Sequence, residues 1–270
     1  MADPLIHRHP SALGLPVNAY LLEGGEGVVV VDGLMTVSDG KALREAAEAT
    51  GKPLLAAVVT HTHPDHYGGV ASLVEGLDVP IYATATVREA IERDDADKEE
   101  RLRPKFGDEW ATQRVFPNEV VEDGGTIRHG GVELTVVDLG PGESPGDSAW
   151  LLAGGRQAIV GDVVYDRMQC YLADGTPEEW LANLERLRQL LPPGATLYPG
   201  HGEPCGTEAL DWQRGYIETV LAVVRGADWS QPEQAREAAL AAARGYLPSE
   251  ELMFLLELSI DPLARSLSVA

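Results

Sequence analysis

Short apolar runs broken by glycine-rich turns fill the chain up to about residue 206, and a helical spacing of apolar positions runs from Thr207 to near the end. Residues 17–23 and 27–31 read as a hairpin across the turn Gly24-Gly25-Glu26-Gly27. Residues 38–50 carry Leu43, Ala46 and Ala47 at helical spacing and stop at Gly51, a residue suited to the position just past a helix. The run 54–59 predicts a buried strand. A polar loop follows it, then a short helix from about Gly68 and a strand over 79–83. Strands are expected again over 126–128, 132–137, 149–153 and 156–160, with Gly130-Gly131 and Gly154-Gly155 turning between them. Thr176-Pro177-Glu178-Glu179 has the form of a capping box with proline at the first helical position. Trp180, Leu181, Leu184, Leu187 and Leu191 continue it as an apolar stripe, and a last strand is expected over 196–198. Strand pairs and helices thus recur in both halves, which predicts an α+β fold of two mixed sheets packed together with helices outside.

Residues 88–118 break the pattern. They are rich in Arg, Glu and Asp with scattered apolar positions, and read as a mostly exposed helical insert, a solvated excursion or a lid. The C-terminal helices from 207 could cap a cleft or present a homodimer face, although their stripe (Leu252, Phe254, Leu255, Leu256, Leu258) reads as core.

The loop after the 54–59 strand reads Thr60-His61-Thr62-His63-Pro64-Asp65-His66, holding three of the seven histidines of the chain. In an extended loop, residues two apart point the same way, so His61 and His63 can grip one ion. Asp65 and His66 lie further round and can face a second. Three later segments share one form, a strand running into a glycine-rich turn that carries a possible ligand: residues 136–143 ending at Glu143, residues 158–162 ending at Asp162, and residues 197–202 containing His201.

The order of these motifs resembles the metallo-β-lactamase superfamily. His61, His63, Asp65 and His66 match its His-x-His-x-Asp-His signature. Asp162 matches the aspartate of its Gly-Asp pair, and His201 the histidine of its Gly-His pair. Asn18-Ala19-Tyr20-Leu21-Leu22 and Val31-Asp32-Gly33 resemble its first hairpin, so the likeness spans roughly residues 15–205. It implies a four-layer αβ/βα sandwich over 1–206, with 207–270 as a helical extension packed on the same domain. It also implies a site for two divalent metal ions at one edge. The chain departs at one position: Glu143 stands in Pro141-Gly142-Glu143-Ser144-Pro145-Gly146 where the family places a third histidine. On this reading Glu143 completes the His61/His63 site, Asp162 bridges both ions, and Asp65, His66 and His201 hold the second. Asp147 is a rival ligand whose place beside Ser148 suits it better to shaping the turn.

The resemblance implies hydrolysis of an ester, lactone, thioester or amide-type substrate by a hydroxide shared between the ions, with Asp65 beside it as a catalytic group. Zinc is the family expectation. An oxygen ligand at Glu143 shifts preference towards iron or manganese, and makes a diiron oxygenase the alternative. Tyr165, Arg167 and Tyr171 follow Asp162 in a segment expected to border the cleft and orient substrate. A net charge of -22 argues against nucleic acid and anionic membranes as partners, leaving a small molecule. No apolar stretch reaches membrane-spanning length, the start lacks a signal-peptide pattern, and two cysteines make no disulfide framework, so a cytoplasmic protein is expected.

Overall fold

The computed structural model describes residues 3–267. One six-stranded sheet runs in order β1 (Leu5–Pro10), β2 (Asn18–Glu23), β3 (Val28–Val31), β4 (Leu54–Val58), β5 (Ile81–Ala83) and β6 (Glu119–Val120). The other contains β7 (Thr126–His129), β8 (Val132–Gly140), β9 (Asp147–Leu152), β10 (Gln157–Tyr165), β11 (Thr196–His201) and β12 (Cys205–Gly206), in reverse order across the sheet.

Strand alternation builds the layers. Tyr20, Leu22, Val29, Val31, Ala56 and Val58 face the second sheet and pack on Leu134, Val136, Trp150, Leu152 and Ile159. Their neighbours Ala19, Leu21, Val28, Val30, Ala57 and Val59 face outward. There they meet α1 (Val37–Ala49), the one-turn helices α2 (Pro64–Tyr67) and α3 (Val70–Leu73), and the start of α4 (Ala85–Phe106). Burial on both faces is why these strands read as unbroken apolar runs. On the far side Val137, Ala149, Ala158 and Val160 share one core with α5 (Pro177–Leu190), α6 (Glu208–Gly226), α7 (Pro232–Tyr246) and α8 (Met253–Ser266). The C-terminal helices therefore pack into the same apolar cluster as the second sheet. The result is the expected α+β four-layer sandwich.

The segment holding His7 and His9, for which the sequence predicts no element, is the edge strand β1, paired with β2 from Leu5↔Glu23 to Pro10↔Asn18; an exposed edge has no apolar face to announce it. Three local expectations need correction. The helix after the histidine loop begins at Pro64, whose fixed φ suits a first helical position, so Asp65 and His66 sit on a helical turn. Thr176 touches the Glu179 carboxylate with its side chain and makes no capping bond to the backbone.

The third concerns the charged insert. Its exposed charges hide a buried clamp on the ligand loop. Tyr67 donates to Asp95 (2.8 Å), Arg114 pairs with Asp95 (2.9 Å), and the Arg114 guanidinium lies over the rings of Tyr67 and Trp110. Lys98 donates to the Thr62 carbonyl between the two leading histidines (2.7 Å). Removing one partner of a buried ion pair leaves the other charge uncompensated. Arg114→Ala is therefore expected to lower unfolding free energy by about 3 kcal/mol, checked by urea denaturation. A loss below about 0.5 kcal/mol, the scale of a surface pair, would mean the clamp is not formed.

Candidate metal centre

Candidate ligands collect where strands of both sheets end on one edge. β4 delivers His61 and His63, and the turn of α2 delivers Asp65 and His66. The loop after β8 brings Glu143, β10 brings Asp162 and β11 ends at His201.

Two glycines make this convergence fit. Gly161 has φ +51°, and its register against β11 shifts on both sides, which re-aims Asp162 towards the edge. A Cβ at Gly200 would lie 2.0 Å from Asp162 Oδ1 and 2.6 Å from the His66 ring, so no larger residue can stand there while both ligands keep their places.

His61, His63, Glu143 and Asp162 offer four ligand atoms within 4.8 Å of one another, and Asp65, His66, Asp162 and His201 offer another four. All seven side chains are buried. His63 Nδ1 lies 3.2 Å from Glu143 Oε2, and His61 Nε2 lies 3.5 Å from Asp162 Oδ2. In the second group His66 Nε2 is 3.2 Å from Asp162 Oδ1, and His201 Nε2 is 3.1 Å from Asp162 Oδ2 and 3.4 Å from Asp65 Oδ2. Ligands on a tetrahedral ion at the usual bond lengths sit about 3.3 Å apart. His61 Nε2, His66 Nε2, Glu143 Oε2 and Asp162 Oδ1 are buried without a hydrogen-bond partner among the described residues, and all four belong to these groups. Orphaned donors and acceptors aimed at one another are costly in a closed site, and two cations would satisfy them.

Outer partners fix which nitrogen each ring presents. His66 Nδ1 bonds to Asp32 (2.8 Å), which also accepts from the Thr60 N–H (2.8 Å). His201 Nδ1 donates to the Pro16 carbonyl (2.6 Å). His61 Nδ1 faces Thr60 Oγ1 (3.2 Å), and His63 Nε2 faces Asp174 (3.5 Å). Burial pushes the histidine pKa values down. The carboxylates outweigh it at three of them: Glu143 and Asp174 hold His63 well above its ordinary value, Asp162 and Asp32 do the same for His66, and Asp162 and Asp65 push His201 up to about 10. Burial and the neighbouring His66 lower His61. Burial would raise Asp162, yet His201, His66 and His61 together hold it well below the carboxylate range. The cluster thus carries protons that cations would displace.

Every residue expected as a ligand lies in this cluster. Asp147 is not in it: it accepts from the Glu143 and Ser144 N–H groups and from Ser144 Oγ, shaping the turn. The residues expected to orient substrate divide. Tyr165 points inward with its hydroxyl between Glu143 and Asp162, because β10 runs five residues past its expected end. Arg167 is exposed, with its guanidinium over Trp212. Tyr171 also borders the candidate ligands, its ring edge-on to His63 at 5.3 Å. Asp32, Lys98 and Asp174 escaped sequence reasoning. Asp32 carried a usable signal, since it too follows an apolar strand; Asp174 carried none.

The family model described as the metallo-beta-lactamase superfamily matches residues 12–201. Acyl-coenzyme A thioesterase MBLAC2 of Homo sapiens is 31% identical over 223 residues, covering 73% of this chain and 77% of its own. Hydroxyacylglutathione hydrolase of Methylobacillus flagellatus is 28% identical over 249 residues, covering 91% and 81%. Among solved structures, TTHA1623 in a di-iron-bound form superimposes with a TM-score of 0.59 at 33% identity, over 74% of this chain and 96% of that one. These relatives do not favour the oxygenase alternative that Glu143 suggested. The paired ligand groups, the sandwich that carries them and the match over most of its length agree: the chain belongs to the metallo-β-lactamase superfamily, as a metal-dependent hydrolase.

Proposed function

We propose that the protein hydrolyses acyl thioesters, with two divalent cations held by His61, His63, Glu143 and Asp162 and by Asp65, His66, Asp162 and His201. The observation that carries the metal assignment is the pair of buried ligand groups joined at Asp162. The substrate class draws on the two relatives, whose names share an acyl group on a thiol carrier, coenzyme A or glutathione. Bound in pairs, such cations activate water at neutral pH and polarise a carbonyl oxygen.

The chain's own residues do the rest. Asp162 keeps both ligand groups in one frame. Asp65 has the least buried side chain of the three carboxylates, 6% exposed against 2% for Asp162 and 0% for Glu143, and it takes the proton of the attacking water. Asp32, Thr60 and the Pro16 carbonyl keep the imidazoles oriented, so little rearrangement is needed at reaction. Three carboxylates leave two divalent cations with about one net positive charge, and the oxygen of Glu143 favours harder ions than an imidazole would. Zinc remains the family expectation; the di-iron-bound relative supports iron.

Stripping with a chelator and reloading with zinc, iron or manganese tests the proposal. Hydrolysis of acyl-coenzyme A or acylglutathione is expected to vanish in the stripped protein and return at two ions per chain. Oxygen uptake in place of thioester cleavage by the two-ion protein, with each metal, would overturn it.

A further inference from the structure

Glu143 is the one ligand position where the chain leaves the family pattern, and the structure gives its carboxylate a partner. We infer that Tyr165 is a positioning residue that makes Glu143 a one-atom donor: its hydroxyl caps Oε1 and leaves Oε2 for the cation of the His61/His63 group. The inference rests on the two-cation reading above.

An imidazole offers one nitrogen to an ion, whereas a carboxylate offers two oxygens that can chelate one ion or straddle two. A glutamate in a histidine's place therefore needs one oxygen occupied. Tyr165 Oη lies 2.9 Å from Glu143 Oε1. Glu143 Oε2 makes no hydrogen bond among the described residues and faces His63 Nδ1 at 3.2 Å and His61 Nε2 at 3.9 Å. The phenol has a single proton, and Asp162 Oδ2 competes for it at 3.1 Å. Asp162 Oδ2 and His201 Nε2, 3.1 Å apart, would both face a cation held by the second group, so the shorter contact to Glu143 is the one left for the phenol's proton.

The phenol is held where this requires. Its ring stacks on His201 at 4.9 Å and 12° and lies against Trp180. The Tyr165 N–H donates to Oε1 of the buried Gln213 on α6 (3.0 Å). Trp180 donates from its indole to the Val163 carbonyl two residues back along the strand (2.8 Å). The C-terminal helices thereby reach the metal centre through one side chain.

The test is a double-mutant cycle on metal affinity, read by competition with a chromophoric chelator in the wild type, Tyr165→Phe, Glu143→His and the double variant. Circular dichroism confirms folding. Tyr165→Phe keeps the ring and is expected to weaken one of the two ions about 10- to 100-fold, the scale of an outer partner. In the Glu143→His background the same change is expected to do almost nothing, because an imidazole has no second donor to cap. Equal losses in both backgrounds would place the phenol's role on Asp162 or in packing and overturn the inference, as would an unchanged affinity in Tyr165→Phe. If that variant does not fold, a crystal structure of the metal-loaded wild type decides: Oε2 alone on the ion is expected, and both Glu143 oxygens within bonding distance would overturn it. Wild type binding fewer than two ions would sink the two-cation reading first, and is visible before any variant is made.

Discussion

Asp162→Ala is expected to strip both cations from the protein and to lower hydrolysis by roughly three orders of magnitude or more, the scale of losing several kcal/mol of metal-assisted stabilisation. Asp162 is the one side chain common to both ligand groups. Its Oδ1 faces His66, and its Oδ2 faces His61 and His201. Alanine leaves each group with three candidate ligands and removes the anion that lies among three buried imidazoles. His63→Ala is the control, because His63 belongs to one group only. It should lose one ion and keep the other. Metal per chain after gel filtration, measured beside kcat, separates the two variants. Two ions retained in Asp162→Ala would end the bridging assignment.

Asp32→Asn is expected to weaken the cation of the second group about 10- to 100-fold while sparing the first. Asp32 lies behind His66, 2% exposed, with φ +65°. Asparagine tolerates that conformation nearly as well as aspartate, so the backbone is preserved. The chemistry is not. The Thr60 N–H donates to Oδ1, and His66 Nδ1 bonds to Oδ2. Asparagine has one oxygen, which Thr60 demands, and its amide nitrogen then faces His66. To accept that bond, His66 must move its proton to Nε2, the atom aimed at Asp162 and the cation. The variant should bind one ion tightly and one weakly, and titration calorimetry would show two resolved steps. Two affinities equal to wild type would show that Asp32 does not set the tautomer.

The residues that cluster were legible because their chemistry is dense in one dimension: three histidines and an aspartate in six residues, then single candidate ligands after strand-and-glycine turns. What surrounds the ligands was less so. Tyr165 is expected in a cleft-bordering segment beyond a strand over 156–160, yet the strand continues to Tyr165 through two register shifts. A shift of one residue turns a side chain to the opposite face, and no periodicity records it. The clamp of Asp95, Arg114 and Lys98 was invisible for another reason. A buried charged pair has the same composition as an exposed one, and only the tertiary contacts with Tyr67 and Thr62 distinguish them. The sandwich itself was readable because both faces of its central strands are apolar; β1 was not, since an edge needs no such signature.

At the end of the sandwich away from the ligands, the hairpin turns of the two sheets are tied by a bond from the Glu26 N–H to the Gly130 carbonyl, 2.9 Å long. At the ligand end, residues 61–66 come from one sheet and Glu143, Asp162 and His201 from the other. Divalent ions there would act as a rivet through the two halves of the molecule. Supply of the ion in the surroundings would then govern how long the chain stays folded as well as how fast it turns over, and scarcity would open the sandwich from the riveted edge inward.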